Sequence, residues 1–578
     1  MIYASPVQKF LQCLEREESI FRAKLASDET GILLRAAINE FDWFHYNYSQ
    51  LSSPNQEQSE NYYFCRLGLT RIFRLVFEAV DEFAFPVVQF KRRGDISRSA
   101  LELLSAIGMI EHGRRVAHSA KTGFCKIRQS GDRKFHFLLP EKLIDAGYHE
   151  KSLLNYYISE EKRVFQERLG LSVSDATLSS IENKLSELVY VFHGHFIGYD
   201  ADPLIDDYFW GLAYSEIQLQ EGFDTFHFST EFGGVPFQKY MLATIFLVSI
   251  ALKHKSFCDA LVAKAPHIQR ENILTISADW DGMVKSIAEV LNTYGLRYEG
   301  YTNTSVDEAS RIASVLALSR CNCSMLARPH APLPYLVKVS DTGVVKLIGG
   351  AQSEPVHFLL HSLRHHFPKE YDKNQQQREG SFQRALEALL DRAFGGLEFR
   401  TNVKVRRDRR VLTDIDFVVI DRSLGLLVLC QLKYQDLYGA DIIAQSSRTR
   451  RLCEESIKWL DGMSDWVSDV GQSGLKSALQ LEHGFEVKRV SRLVLSKHFA
   501  HPLGGIRTKE NFSYSNWLQL INAISLMEAN QGEFRTIAGL LRVLDDQNTG
   551  ARVVEHLEEP PTKYTIGDTE FTVEMQRT

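Results

Sequence analysis

Residues 413–433 constrain the fold of this chain more than any other segment. They form two short, mostly apolar runs joined by a tight turn, with Asp416 near the start of the first run and Gln431 and Lys433 at the end of the second. Side chains two residues apart on a strand share a face, so Gln431 and Lys433 point the same way, as do Asp414 and Asp416. The segment therefore predicts two neighbouring strands that bring a carboxylate, an amide and an ammonium group together.

The residues on either side of this pair follow the pattern of an α/β unit. A helical period ends at Gly395 and Gly396, which is a common signal for the end of a helix. Alternating and apolar runs then indicate strands, followed by a long helix. We predict the order helix, strand, strand, strand, helix, strand, helix over residues 378–394, 397–405, 412–420, 425–433, 441–459, 492–496 and 517–527.

This order, with an acid on the first helix, Asp416 on the middle strand and the Gln-x-Lys pair after it, resembles the PD-(D/E)xK nuclease superfamily. The closest likeness is to the restriction-endonuclease-like branch in which Gln replaces the second acid. The resemblance covers residues 375–500, about a fifth of the chain. It implies an α/β domain with a central mixed sheet, and Mg²⁺- or Mn²⁺-dependent cleavage of nucleic acid, DNA more than RNA.

The resemblance assigns a role to each candidate residue. Asp416 matches the strand acid that binds the metal, Gln431 the second ligand and Lys433 the catalytic lysine. Glu379 matches the acid on the first helix, and Glu387, two turns later, is the alternative. The expected metal ligands are therefore Glu379, Asp416 and Gln431.

General chemistry supports these roles. Mg²⁺ prefers oxygen ligands, lowers the pKa of a bound water and stabilises charge on phosphoryl oxygens. Lys433 can orient that water or oppose the developing negative charge. Asp414 can serve as an outer ligand or hold the ligands in place. Gln431 departs from the commoner carboxylate because its amide supplies an oxygen but no charge.

Basic residues flank this predicted site and could contact the phosphates on either side of a cut, which gives affinity without sequence readout. The alternative is that they form solvated charged turns. They are Lys404, Arg406, Arg407, Arg409 and Arg410 before the Asp416 strand, and Arg448, Arg450 and Arg451 on the following helix.

Residues 91–140 have the outline of a winged helix-turn-helix. A predicted helix over 97–110 is followed by a polar loop and a hairpin, and residues 91–134 hold eleven Lys or Arg against four Asp or Glu. This excess favours a DNA-binding segment that includes Arg92 and Arg93. The alternative is a domain of the same shape that serves only packing.

The whole chain is too long for one core, so we expect a multidomain α+β and α/β protein. The expected parts are a helical N-terminal domain (1–90), the winged-helix segment (91–140), a mainly helical middle region (141–354), the nuclease-like domain (355–530) and a C-terminal extension (531–578).

The composition limits the class of protein and the cellular compartment that we expect. The net charge of −6 excludes a generally basic nucleic-acid coat, so any binding site must be a local patch. Eight scattered cysteines without a Cys-x-x-Cys pair form neither a disulfide framework nor a zinc ribbon, which favours the cytoplasm. The longest apolar run, 241–252, is shorter than the ~20 residues that span a bilayer and predicts a buried helix. We therefore expect no membrane association.

Two groups of histidines carry weaker signals. His193 and His195, followed by Asp200 and Asp202, could bind a metal, but core or loop histidines are the favoured interpretation. The second group is His361 and His365, which share a helix face without the carboxylate of a zinc motif.

Three functional hypotheses follow. The first is a nuclease, by analogy in restriction or anti-phage defence. The second is a nuclease fold with a weakened site that acts as a nucleic-acid-binding or scaffolding subunit. The third is a transcriptional regulator that reads DNA through residues 91–140. A homodimer or a partner subunit could supply the trigger, because the sequence shows no nucleotide-triphosphatase motif.

Overall fold

The computed structural model describes most of the chain. The residues outside the description are 1–4, 53, 81–82, 84, 86–89, 124, 141–174, 222–225, 299, 328–330, 354, 408–409, 435–441, 483, 506–511, 530–534, 551–560 and 577–578. The described part is mainly helical with several small sheets, a multidomain α+β architecture.

The helices of the described chain are α1 (Pro6–Leu25), α2 (Thr30–Ser49), α3 (Gln56–Ala79), α4 (Gly94–Lys121), α5 (Asp175–Leu188), α6 (Pro203–Glu221), α7 (Phe237–Lys264), α8 (Trp280–Gly295), α9 (Val306–Leu316), α10 (Ile348–Ser353), α11 (Pro355–His366), α12 (Pro368–Asn374), α13 (Gln376–Phe394), α14 (Ile442–Ala478), α15 (Trp517–Ala529) and α16 (Ile537–Gly550). The strands are β1 (Lys126–Gly131), β2 (Lys134–Pro140), β3 (Val189–Phe192), β4 (Phe196–Tyr199), β5 (Glu231–Phe232), β6 (Val235–Pro236), β7 (Ile276–Asp279), β8 (Ala317–Leu318), β9 (Leu336–Lys338), β10 (Gly343–Lys346), β11 (Glu398–Arg407), β12 (Arg410–Asp421), β13 (Leu426–Lys433), β14 (Arg489–Ser496), β15 (Ser513–Asn516), β16 (Thr562–Ile566) and β17 (Thr569–Gln576).

Helix α4 is longer than the helix expected in the winged-helix segment. The predicted helix over 97–110 does not end at a loop but continues to Lys121, because Gly113, Val116 and Ala117 extend its buried face. It packs against α1, α2 and α3. This packing agrees with the alternative that the segment serves packing, while exposed residues such as Arg98 and Glu102 remain on its outer side, so DNA binding by the segment stays a prediction.

The two central helices of this domain approach unusually closely. A Cβ atom on Gly68 of α3 would lie 2.0 Å from the carbonyl oxygen of Leu104, and one on Gly108 of α4 would lie 2.0 Å from that of Phe64. Only glycine permits such backbone contact, so these two positions set the packing of α3 on α4.

The C-terminal extension is divided between two parts of the molecule. Helix α16 packs on α15 beside the five-stranded C-terminal sheet, whereas β16 and β17 return to the N-terminal domain. There they complete a four-stranded sheet in the order β1-β2-β17-β16, with β17 parallel to β2. Phe571 of β17 is fully buried, with its ring centroid 5.2 Å from that of Phe10.

The middle region shares a core with the N-terminal domain. One hydrophobic cluster joins residues from 25–107 with residues from 318–358, so the expected boundaries at 90 and 354 do not separate independent cores. Helix α7, which contains the predicted apolar run, is the one described helix long and apolar enough to cross a membrane. Because 67% of its most apolar window is buried, we interpret it as a core helix.

The C-terminal α/β unit has every element in the predicted order. Its sheet runs β11-β12-β13-β14-β15, antiparallel through β13 and parallel from there to β15. Helix α14 covers one face, and α13, α15 and α16 cover the other. Two features differ from the prediction: α14 extends past 459 to Ala478 with a break at Gly471, and the edge strand β15 was not expected.

Candidate functional site

The candidate site lies where β12 and β13 separate. Their pairing ends at Phe417 and Cys430, and Asp416 and Gln431 follow just beyond. There Asp416 Oδ2 accepts hydrogen bonds from the backbone N–H of Leu432 at 2.7 Å and from Gln431 Nε2 at 2.9 Å. No donor among the described residues contacts Oδ1, so this oxygen is available to a ligand.

The Asp416 carboxylate is held in a partly desolvated position. Desolvation raises its pKa above the usual value, and the negative charge of Asp414 acts in the same direction. The hydrogen bonds from Leu432 and Gln431 and the charge of Lys433 oppose this shift without cancelling it. Asp416 is therefore a carboxylate whose negative charge is under-compensated by the protein.

Glu379 of α13 belongs to the same electrostatic neighbourhood. Its side chain is open to solvent, yet partial desolvation raises its pKa, and the charges of Asp416 and Asp414 raise it further. Lys433 acts in the opposite direction. The alternative acid, Glu387, is exposed two turns along α13, and no described site residue forms a hydrogen bond or ion pair with it. The structure thus brings Glu379 rather than Glu387 to Asp416.

Helix α13 is fixed to the site by a hydrogen-bond bridge that the sequence did not reveal. Gln383, one turn after Glu379, donates from Nε2 to the backbone carbonyl of Asp416 at 3.1 Å and to Asn402 Oδ1 at 3.0 Å. Below this bridge, Phe382 and Leu386 are fully buried against the sheet. Gln383 therefore fixes the position of α13, the helix that carries Glu379, relative to the backbone of Asp416.

Asn402 of β11 lies opposite Asp416 of β12, and the side chains of β11 switch to the other face of the sheet at this residue. It has φ of +53°, a left-handed conformation that Asn tolerates better than most residues. Before it, Phe399 packs in the core under α13, whereas Val403 and Val405 after it pack in the core under α14. An Asn inside an otherwise alternating strand was the available sequence signal for this reversal.

Lys433 is held by a carboxylate that sequence reasoning missed. Its Nζ lies 2.9 Å from Glu455 Oε2 on α14, and Glu455 also accepts a hydrogen bond from Arg451 Nε at 2.7 Å. Burial acts to raise the pKa of Glu455, but the Arg451 and Lys433 hydrogen bonds outweigh it and leave the pKa below its usual value. An ionised Glu455 therefore fixes the ammonium group of Lys433 close to Asp416 and Glu379.

The middle region contacts the helix that carries Glu379. Arg378, only 3% exposed, stacks over the ring of Tyr434 at 4.4 Å and over that of Phe226 at 5.7 Å. Tyr434 directly follows Lys433, and Phe226 belongs to the middle region. The preceding helix, α12, also contacts the middle region, since the backbone N–H of Gly233 donates to Glu370 Oε2 at 2.9 Å. The first turns of α13 are thus packed between the two parts of the molecule.

The predicted phosphate-binding residues have different environments. Lys404, Arg406, Arg410 and Arg450 are exposed, whereas Arg448 is half-buried and Arg451 is bound to Glu455. Arg409 and the side chain of Arg407 lie outside the described residues.

The two arginines of the 91–140 segment are also placed differently. Arg92 donates to both oxygens of Glu40, at 2.7 and 2.8 Å, and lies 3.5 Å from Glu271. It is therefore an internal ion-pair partner, which corrects its assignment as a phosphate contact. Arg93 is exposed, 3.5 Å from Asp95.

The histidine signals lead to no metal site within the described part of the chain. His193 and His195 lie in the exposed turn between β3 and β4, while Asp202 is bound to Lys184 at 2.6 Å. Across the described ranges, no group of three or more His, Cys, Asp and Glu is arranged to hold a metal ion, and this includes His361 and His365. The candidate site has a different donor set, two carboxylates and an amide.

Comparisons with known proteins do not identify this chain. No family model, curated protein or solved structure matches it. The support for a function therefore comes from the geometry and electrostatics of the chain itself.

Proposed function

We propose that this protein is a metal-dependent nuclease that hydrolyses phosphodiester bonds of nucleic acid, with DNA as the expected substrate. The observation that supports this most strongly is the convergence of Glu379, Asp416, Gln431 and Lys433 where β12 and β13 separate. The order of elements agrees with the PD-(D/E)xK resemblance, in its restriction-endonuclease-like form with Gln-x-Lys.

The residues present fit a divalent cation. The pKa values of Asp416 and Glu379 are raised mainly by desolvation and also by neighbouring negative charge, and a bound cation would relieve both effects. Glu379, Asp416 and Gln431 would hold Mg²⁺ or Mn²⁺. When bound, such a cation lowers the pKa of a water molecule and stabilises charge on the phosphoryl group.

The chain's own groups have separate tasks in this proposal. Asp416 Oδ2 is occupied by hydrogen bonds, so Oδ1 presents the negative charge to the ligand. Glu379, exposed on α13, would add a second carboxylate to the ligand set. Lys433, fixed by Glu455, presents a positive charge where a phosphoryl oxygen or the attacking water would lie. This positioning costs no further ordering of the lysine when the substrate binds.

A cleavage assay tests this proposal. Plasmid, linear duplex, single-stranded DNA and RNA are incubated with Mg²⁺ or Mn²⁺ and the parent protein, Lys433→Ala or Lys488→Ala. Lys488 is exposed near the opposite end of the sheet and serves as the matched control. We expect the parent and Lys488→Ala to cut, and Lys433→Ala to be slower by about 10²–10³-fold. Equal cutting by all three, or no cutting by the parent, would contradict the proposal.

A second candidate is a nucleic-acid-binding or scaffolding subunit with a weakened site. Two observations favour it: Gln431 adds no charge to the ligand set, and Lys433 already has a carboxylate partner in Glu455. Binding without metal-dependent cutting would support this candidate. A regulator that reads DNA through residues 91–140 has less support, because α4 packs against other helices.

The biological setting is proposed by analogy alone. Restriction or anti-phage defence is where such a nuclease domain joined to a large helical region would act. All eight cysteines are free, in keeping with a cytoplasmic protein. A second copy of the chain or a partner subunit would supply the activating signal.

A further inference from the structure

Strands β11 and β12 continue together beyond the candidate site. β12 stops pairing with β13 at Phe417, but its pairing with β11 goes on through Ile415 and Asp414 to Arg410. Residues 403–406 and 411–415 therefore form a two-stranded arm, here called the ribbon. At about 3.3 Å per residue it extends roughly 15 Å from Asp416.

The two faces of the ribbon have different environments. Val405 is fully buried toward α14, and Trp459 Nε1 donates to the backbone carbonyl of Asp414 at 3.0 Å. Lys404 pairs with Asp414 across the strands, and Arg406 pairs with Val411, so these side chains lie on the opposite, solvent-facing side. Helix α14 thus supports the ribbon from behind and leaves a cationic face open.

The cations of this face lack the carboxylate partners that several arginines elsewhere in the described chain have. Lys404, Arg406 and the adjacent Arg410 are exposed and form no ion pair with any residue in the described ranges. By contrast, Arg114 and Arg422 each bind carboxylates. In a chain with a net charge of −6, three exposed positive charges beside the proposed cleavage site, of which only Lys404 has a carboxylate opposite it in the register, favour an anionic partner.

We infer that the ribbon binds double-stranded nucleic acid and delivers it to the candidate site. A two-stranded ribbon has the width that the major groove of DNA accepts. Lys404 and Arg406 are about 7 Å apart along β11, roughly two base steps of duplex. Residues 401–416 contain no aromatic side chain on which the bases of a single strand could stack.

This inference rests on the proposed function, since the ribbon leads away from Asp416. Lys404, across from Asp414, binds a phosphate near the cut, and Arg406 binds one further along the duplex. The partner strand carries Arg410 at the tip, so cations from both strands of the ribbon contact the substrate.

The test is equilibrium binding in EDTA, so that cutting does not interfere. Fluorescence anisotropy is measured with a short duplex and with one of its single strands, across a range of salt concentrations. The variants are K404Q/R406Q/R410Q and a charge-matched control, K121Q/K285Q/K488Q, whose lysines are exposed elsewhere. Circular dichroism and the Tm confirm that both variants fold like the parent.

The parent is expected to bind duplex more tightly than single strand. The ribbon variant should bind duplex more weakly, with the slope of log K against log salt smaller by about 0.9 for each lost phosphate contact, or roughly 2 to 3 in total. The control should keep the parent's slope. Unchanged duplex binding by the ribbon variant, preference of the parent for single strand, or no binding by the parent would overturn the inference.

The same samples separate this inference from the proposed function. If the parent cuts DNA while the ribbon variant binds and cuts as the parent does, the ribbon assignment fails and the nuclease stands. If duplex binding depends on the ribbon but no metal supports cutting, the nuclease fails and the ribbon assignment stands.

Discussion

At the scale of single residues, the site holds negative charge that the protein does not compensate. Glu379 and Asp416 both have raised pKa values, with desolvation as the main cause and the charge of Asp414 as a further cause for both, while the charge of Asp416 also raises the pKa of Glu379. A carboxyl group with a raised pKa is less stable ionised in the folded chain than in the unfolded chain. Its destabilising effect is present above the folded pKa and vanishes below the ordinary value.

Neutralising Glu379 should therefore stabilise the metal-free protein. We expect Glu379→Gln to raise the Tm at mildly alkaline pH, and the gain should disappear as the pH falls below the ordinary pKa of glutamate. Thermal melts of the parent and variant in EDTA across this range measure the effect. Glu387→Gln on the same helix is the control and should leave the Tm unchanged. A Tm for Glu379→Gln at or below that of the parent at alkaline pH would contradict this electrostatic interpretation.

At the scale of elements, periodicity predicted α13, β11, β12, β13 and β14 with boundaries close to those observed. It failed at β15, whose mainly polar residues Ser513–Asn516 are buried because they pair with β14 and are covered by α15 and α16. It also failed on the length of α14, whose second half contains Gly471 at a helix-breaking φ of +57°. The formation of an edge strand and the length of a helix both depend on contacts with residues far away in the sequence, and local periodicity contains no information on those contacts.

The candidate site likewise contains residues that the sequence predicted and residues that it did not. Asp416, Gln431 and Lys433 could be chosen from spacing on two strands, and Glu379 from a resemblance. Gln383, Asn402 and Glu455 could not, because their roles depend on hydrogen bonds between separate elements. Spacing along one strand identifies groups that share a face, but not the groups that other elements place against them.

Asn402 provides a test at the element scale. Asn402→Ala should lower the free energy of unfolding by about 1 kcal/mol, because alanine resists a φ of +53° and cannot bind Gln383. Asn402→Gly is the matched control, since glycine accepts this conformation and loses only the hydrogen bond. Urea unfolding measures both. Equal stability of Asn402→Ala and the parent would show that the reversal in β11 does not depend on this residue.

At the scale of the whole molecule, the C-terminal strands close the N-terminal domain. Phe571 of β17 is fully buried against Phe10 and Phe137. Between these two ends of the sequence lies the C-terminal α/β unit, whose helix α13 contacts the middle region through Arg378. The last two strands of the expected C-terminal extension are therefore an integral part of the N-terminal core, a connection that no local sequence pattern indicates.

Removal of the Phe571 ring should strongly destabilise the N-terminal domain. We expect Phe571→Ala to lower the free energy of unfolding of the N-terminal domain by about 3–5 kcal/mol, because a buried aromatic side chain leaves a cavity. Thr572→Ala, on the other face of the same strand, should cost far less. Chemical denaturation measures both variants. An unchanged stability for Phe571→Ala would mean that the last strands are a dispensable tail.

The central claim is that Asp416 and Lys433 belong to one catalytic unit. Its most direct test is the single-turnover rate constant for DNA cleavage in Mn²⁺ by the parent, Asp416→Asn, Lys433→Ala and the double variant, each shown to be folded. Groups that act together give non-additive losses. We predict that each single variant loses at least about 10²-fold and that the double variant is no slower than the slower single variant. The claim would be contradicted if either single variant cleaved DNA at the parent's rate, or if the parent cleaved no DNA substrate.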